Sequence, residues 1–292
     1  MKGFGFAKPF CYIYSMEIKV MKNTNPIIDE VVSRYKTIEN YTKMFTNNSN
    51  SAIRGLLISG DAGYGKTHFT KLGLKDTNLE MIDYIKGSSV SAAALYVKLY
   101  QSRFEGQVLV LDDVDIINKT KAEFSIIIDL IKGATEPTKD ERILSWNRAQ
   151  RNQLMVENDV PDNFEFNGTI IWITNESIRN IAEKAGSHWN ALDSRFYKVE
   201  AWLNDQEKLM YTLYLVEEID MLGKECYAKE DGYTKDTINK TLKYLRDNYK
   251  YMYDFNDNST ISPRSAIKLA DTITNFPNEW KMMADMQFIK IK

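Results

Sequence analysis

The sequence predicts an α/β chain in which a parallel sheet carries helices on both faces, followed by a smaller all-helical region. Three observations predict it. Short apolar runs of strand length alternate with helical periods between Pro26 and Thr174. A glycine-rich turn joins the first of those runs to the helix after it, and strand-like runs vanish beyond Trp202. The 292 residues are 43% hydrophobic, enough apolar material for one large or two modest cores.

The elements follow in order. Residues 1–25 show no clear period and read as a loose arm, an edge strand over the weakly alternating stretch 12–20, or a start-site artefact, since Met16 and Met21 would also serve as starts. Ile27, Ile28, Val31, Val32, Tyr35, Ile38 and Tyr41 recur at helical spacing, up to a polar loop at 46–51. Residues 53–59 read as a strand, 66–74 as a helix, 79–85 as a strand and 90–101 as a helix. Residues 107–111 form a β-branched strand ending in acids, and 122–133 an apolar helix closed by glycine. Residues 134–166 are polar and irregular, with a hairpin expected around 142–146, and 168–174 read as another buried strand. Beyond Leu203, residues 206–221, 234–249 and 263–274 read as helices. The expected division is an arm (1–25), an α/β domain (26–202), a helical domain (203–276) and a tail (277–292). Residues 286–292 alternate, so the tail reads as a pairing strand, a docking segment or a stretch folded onto the helical domain.

Composition excludes several classes. Lys and Arg total 38 against 40 acids, a net charge of −2, so no global basic field draws the chain to nucleic acid or anionic lipid and any such contact is local. Cys11 and Cys226 make no disulfide framework, and with His68 and His188 they make no metal cluster. No apolar run approaches the ~18 residues of a membrane span. Lys8 and Pro9 interrupt the N-terminus before a signal-type apolar core develops. The expectation is a cytoplasmic protein without a membrane partner.

Gly60, Asp61, Ala62, Gly63, Tyr64, Gly65, Lys66 and Thr67 spell GxxxxGK[ST] between a predicted strand and a predicted helix. Glycine lets the backbone wrap a phosphate closely, and the loop N–H groups and helix N-terminus then meet its charge. The loop and the adjoining His68 form the candidate nucleotide-binding segment. Lys66 would reach the β and γ phosphates, and Thr67 would ligate Mg²⁺. A second element agrees: Val108, Leu109, Val110 and Leu111 lead into Asp112 and Asp113, with Asp112 lying 46 residues beyond Lys66. A hydrolytic site needs one acid in the Mg²⁺ shell, here Asp112, and another to orient water, here Asp113. Asp115 reads as a helix cap or an outer residue.

With these motifs, the run Ile170 to Asn175, the segment Ser194-Arg195-Phe196 and the pair Pro263-Arg264, the chain resembles the AAA+ ATPases over roughly residues 26–275. The resemblance implies ATP and Mg²⁺ as ligands, with Lys66, Asp113, Asn175, Arg195 and Arg264 as the catalytic set. Asn175 would be sensor 1, holding the attacking water or the γ phosphate. Arg195 would be an arginine finger acting on a neighbouring subunit's ATP, and Arg264 the lid arginine of sensor 2. A cation in the first turn of a helix opposes the helix dipole unless an anion compensates.

Two departures stand out. Asp113 replaces the family's usual Glu, one methylene longer, and 62 residues separate it from Asn175. The extra material, residues 136–166, carries Arg142, Trp146, Arg148 and Arg151 and resembles an insertion before sensor 1 in phage and bacterial members. In AAA+ rings such an insertion and the loop after the second strand, here Lys86 to Ser89, line the pore. Arg and Trp there would contact phosphates and stack on bases, or grip a polypeptide, or form a solvated loop around one buried Trp.

The resemblance implies a homo-oligomeric ring, expected as a hexamer, that hydrolyses ATP to remodel or load factors on nucleic acid in replication or recombination, with a helicase as a candidate partner. The alternatives are a protein remodeller or unfoldase with a protein client, and a slow nucleotide-switched binding module. P-loop kinases would leave Asn175, Arg195 and Arg264 without a role, and no NKxD motif for guanine follows the loop.

Overall fold

A computed structural model describes residues 25–47, 51–87, 89–138, 142–147, 152–223, 226, 229–254 and 258–290. The expectations for the arm up to residue 24, Cys11 included, and those for Ser88, Arg148, Arg151, Ile291 and Lys292 fall outside the described residues. Two compact units emerge: Arg34–Trp202, and the described residues from Leu203 onward grouped with residues 25–33.

In the first unit five strands form a parallel sheet: β1 (Gly55–Gly60), β2 (Ile82–Lys86), β3 (Val108–Asp112), β6 (Thr169–Thr174) and β7 (Phe196–Ala201), in the order β2-β3-β6-β1-β7. The central strands β1 and β6 are buried at every position, as a parallel strand covered on both faces must be. The helices are α1 (Pro26–Asn47), α2 (Lys66–Gly73), α3 (Ala92–Gln101), α4 (Lys121–Ala134), α5 (Gln153–Glu157), α6 (Ile178–Ala185) and α7 (Trp189–Arg195), with α1 beginning ahead of the unit's first residue. Ser91, Thr120 and Ser177 cap α3, α4 and α6, each accepting from the backbone N–H three residues on. Leu95, Leu99, Leu109, Leu111, Ile127, Ile131, Ile170 and Trp172 fill the main core.

A parallel sheet with surrounding helices, followed by a helical C-terminal part, is the α/β architecture expected from the sequence.

Three local expectations are corrected. The chain enters β2 through a short 3-10 turn, Leu79–Met81, so the strand begins three residues later than its apolar run. No tight hairpin forms at 142–146. Instead β4 (Ile143–Ser145) pairs antiparallel with the distant β5 (Asn163–Glu165), because Leu144 and Phe164 are drawn into the core beside Tyr96. The third concerns β7, α6 and α7, which have no counterpart in the sequence reading. β7 alternates buried Phe196, Val199 and Ala201 with Lys198 and Glu200, whose charges on an edge strand oppose pairing with another chain.

The second unit holds α8 (Asp205–Glu217), α9 (Lys235–Asn248), α10 (Pro263–Asn275) and α11 (Trp280–Phe288) around Leu213, Leu245, Met252, Ala266, Leu269 and Phe288. Capping boxes open α8 (Asn204 with Glu207) and α10 (Ser262 with Ser265, Pro263 following). The strand reading of the tail is overturned. Ala284 and Phe288 lie four apart on the buried face of α11, and Tyr244 donates to Asp285 at 2.8 Å, so helical spacing overrides the alternation of the last residues.

Candidate functional site

The strand order decides what meets what. β6 lies between β1 and β3, so their C-terminal ends bring the glycine loop, Asn175 and the two acids together: Ser59 is level with Thr174, and Asp112 with Ile173. After Gly60 the chain turns through Gly63 (φ 88°) and Gly65 (φ 113°), left-handed conformations that favour glycine. Gly65 occupies the cap position of α2 without a capping side chain, and no acid stands in the first turn, so the positive end of the helix dipole carries no negative charge of its own.

Lys66 is only 6% exposed. Its ammonium donates to the carbonyls of Gly60 (2.7 Å) and Asp61 (2.8 Å) and to Oδ1 of Asn175 (2.8 Å). The other end of that amide donates to Oδ1 of Asp113 at 2.7 Å. Lysine only donates and a carboxylate only accepts, so the orientation of the Asn175 amide is fixed from both sides. Beside this chain the Thr67 hydroxyl donates to Oδ1 of Asp112 at 2.8 Å. Asp113 adopts φ 56°, a left-handed conformation that Asp tolerates better than most residues, and its N–H donates to the Ile173 carbonyl. A second brace, absent from the sequence reading, ties the strand ends: Ser59 Oγ donates to the Glu176 carbonyl (2.6 Å) and accepts from Trp202 Nε1 (3.2 Å).

The oxygen pair of Thr67 and Asp112 fits Mg²⁺, which takes one or two protein oxygens and completes its shell with water and phosphate. Ala62 is exposed on the loop. Tyr64, however, is buried, so it offers the loop its backbone and not its ring. His68 stacks edge-on against Phe69, and burial, with the Lys71 charge, holds its pKa below 6.5 against the opposing pull of Glu39. Lys86 is exposed at the end of β2, level with Asp112, its ammonium 4.4 Å from the centre of the Tyr84 ring.

The expected substrate-gripping residues are corrected in part. Arg142 is 3% exposed, carried inward where β4 joins the core, and cannot present its guanidinium to a substrate. Trp146 is half-buried and packs on Tyr96, ring centres 5.3 Å apart. Among the described residues the insertion exposes three large apolar side chains, Ile143 (55%), Leu154 (41%) and Val156 (56%), set among exposed polar and acidic ones such as Glu157, Asp159 and Asp162.

Arg195 closes α7 just before β7. Because Phe196 is level with Gly55 and Ala201 with Gly60, Arg195 stands a full strand length from the phosphate loop of its own chain, about 20 Å at the usual rise. Its guanidinium pairs with Glu136 and donates to the Lys132 carbonyl at 2.8 Å. Sequence spacing carries no sign of Glu136, which enters only through the packing of α7 on α4. Arg264 lies exposed in the first turn of α10 in the helical unit.

The sheet order and the grouped Lys66, Thr67, Asp112, Asp113 and Asn175 define a parallel α/β protein whose glycine loop and strand-end acids meet in a P-loop arrangement. The chain belongs to the same family as an uncharacterized 36.7 kDa protein from the nrdC-mobD intergenic region of Enterobacteria phage T4, to which it is 30% identical over 273 residues, 88% of this chain and 77% of that one. No family model matches the sequence. Among solved structures it is similar to a Thermotoga maritima RuvB mutant (14% identity, TM-score 0.46, 88% of this chain and 69% of that one). It is also similar to domain III of the Thermotoga maritima replication initiation protein DnaA (12% identity, TM-score 0.45, 92% and 100%).

Among the described residues no helix is long and apolar enough to cross a membrane.

Proposed function

We propose that this protein is an Mg²⁺-dependent ATPase of the AAA+ type, working as a homo-oligomer, a hexameric ring, in the cytoplasm of a phage-infected cell. The observation that carries the reading is the hydrogen-bonded line from Lys66 through Asn175 to Asp113, with Thr67 on Asp112 beside it. The loop backbone and the α2 N-terminus bind the phosphates, and Lys66 gives up its loop carbonyls to pair with the β and γ oxygens. Thr67 and Asp112 hold Mg²⁺, which when bound offsets phosphate charge. Asp113 accepts the proton of the attacking water, and Asn175, already bonded to Asp113, orients that water. Arg195 lies too far from its own loop to act in cis, which supports a role on a neighbouring subunit, where its charge stabilises the transferred phosphoryl. Arg264 serves as the lid arginine.

Hydrolysis drives remodelling or loading on nucleic acid in replication or recombination, with Lys86 as the exposed candidate contact among the described residues. A second reading, a protein client, is favoured by the apolar side chains that the insertion exposes, Ile143, Leu154 and Val156.

One experiment tests both parts: steady-state ATPase rate with and without single-stranded DNA, for the wild type and Lys66→Ala. The expected result is turnover that DNA raises and Lys66→Ala abolishes. Undiminished turnover in the variant would overturn the site, and turnover indifferent to DNA would move the substrate to protein.

A further inference from the structure

We infer that Glu136 is a positioning residue that moves between two arginines, holding Arg195 out of action when paired with it and freeing it by turning to the buried Arg142. This rests on the reading of Arg195 as the arginine that acts on a neighbouring subunit.

The present pairing ties up the guanidinium. Nη2 is engaged by the Glu136 carboxylate and Nη1 by the Lys132 carbonyl, so each terminal nitrogen of the fork that grips phosphoryl oxygens is turned toward a partner in its own chain. The Lys132 carbonyl belongs to the last turn of α4, the negative end of that helix, which adds to the hold. The two side chains are 21% and 19% exposed, so this is not a solvent-screened surface pair of little consequence. A guanidinium neutralised by a carboxylate cannot also neutralise charge developing on a phosphoryl group. Assembly alone therefore does not complete the site; Glu136 must let go.

Where it goes is indicated by Arg142. This guanidinium is buried, and among the described residues its Nε and Nη1 find no hydrogen-bond partner, an arrangement costly for a cation. Among the described residues, the charged groups that act on it are Arg54, which opposes its charge, and Glu105, Glu136 and Glu165, which favour it. Of these carboxylates Glu136 is the one that also reaches Arg195. Lys132 does not compete for it, since its ammonium is bound to Asp129 (2.7 Å) and to Nδ1 of His188 (2.9 Å). Glu136 lies two residues beyond the end of α4, and Arg142 directly precedes β4, so the acid and its second partner are only six residues apart in the chain. A shift of the insertion, such as a bound substrate would cause, changes which arginine Glu136 faces. The insertion and the arginine that acts on the next subunit are thereby coupled through one carboxylate.

The test is the ATPase rate of the wild type and five variants. Glu136→Gln should raise kcat, by roughly tenfold for a partly buried ion pair, with KM for ATP unchanged. Arg142→Met should lower kcat, because Glu136 then has Arg195 alone to pair with, and Arg142→Lys should restore part of the loss. Opposite effects from two neighbouring residues are not what a structural role would produce. Glu136→Gln combined with Arg195→Ala should turn over no faster than Arg195→Ala alone. If Arg195→Ala by itself hydrolyses normally, the reading of Arg195 fails. If Arg195→Ala is inactive yet Glu136→Gln gains nothing, that reading stands and the switch is overturned. Melting curves on each variant identify any that fail to fold, and Glu136→Asp, which keeps the charge on a shorter arm, then replaces Glu136→Gln with a smaller gain expected.

Discussion

At the scale of the residue, the geometry of the site follows from what each polar group can donate or accept. Lys66 can only donate and Asp113, ionised, can only accept, so Asn175 is held between them in a single orientation. Asn175→Ala should break that line, leaving nucleotide binding by the loop largely intact while lowering kcat by roughly a hundredfold, the usual scale for losing a positioned proton-transfer contact. Equal losses in ATP affinity and kcat would count against it. The Asn175 amide, bonding Asp113 directly, is the local contact that keeps this carboxylate in place. His68 gives a pH dependence of definite sign. Its pKa in the folded chain lies below 6.5, chiefly through burial and then the Lys71 charge, so the unfolded chain binds the proton more readily. The contribution is complete above about pH 6.5 and is lost as pH falls through the lower folded value. Thermal melts from pH 8 to 5 should therefore fall less steeply for His68→Gln than for the wild type, and parallel curves would refute the assignment.

At the scale of the element, close approaches decide where the helices sit. A Cβ on Gly73, at the end of α2, would lie 2.5 Å from Thr42 Cβ and 2.8 Å from the Glu39 carbonyl on α1. Backbone cannot yield as a flexible side chain can, so Gly73→Ala should destabilise the chain by about 1–3 kcal/mol, read as a Tm lower by several degrees. An unchanged Tm would mean that α1 does not pack there. Much at this scale was legible in the sequence. Strands β1, β3 and β6 are wholly or largely buried runs bounded by glycine or acids, and α3, α4 and α9 fall within runs of helical spacing. What was not legible depends on remote partners. β7 alternates charged and apolar residues weakly and is a strand because β1 offers it an edge, while β4 is a strand because β5 lies twenty residues further on.

At the scale of the whole molecule, the distance between Arg195 and its own phosphate loop has a consequence for assembly. If each ATP site borrows Arg195 from the next subunit, Arg195→Ala and Lys66→Ala are each inactive alone but complementary. Mixed, they should regain a measurable fraction of wild-type turnover, because an intact loop then meets an intact arginine across some interfaces. A mixture as inactive as its components would argue that Arg195 does not act in trans. In the same vein, turnover per subunit should rise with protein concentration.

The sequence by itself determined the features that depend on spacing along the chain: the glycine loop with Lys66 and Thr67, the apolar strand delivering Asp112 and Asp113, Asn175 at the end of another, and the change to helices near Leu203. These follow from local conformation and from periods of two and 3.6 residues, which any window of sequence displays. Only the tertiary structure decided that β6 lies between β1 and β3, so that Asn175 bridges Lys66 and Asp113. The burial of Arg142, the inward turn of Trp146 and the pairing of Arg195 with Glu136 were decided the same way. Each is a contact between segments far apart in the chain, chosen by how apolar faces close over one another, and no local pattern records which partner burial will bring.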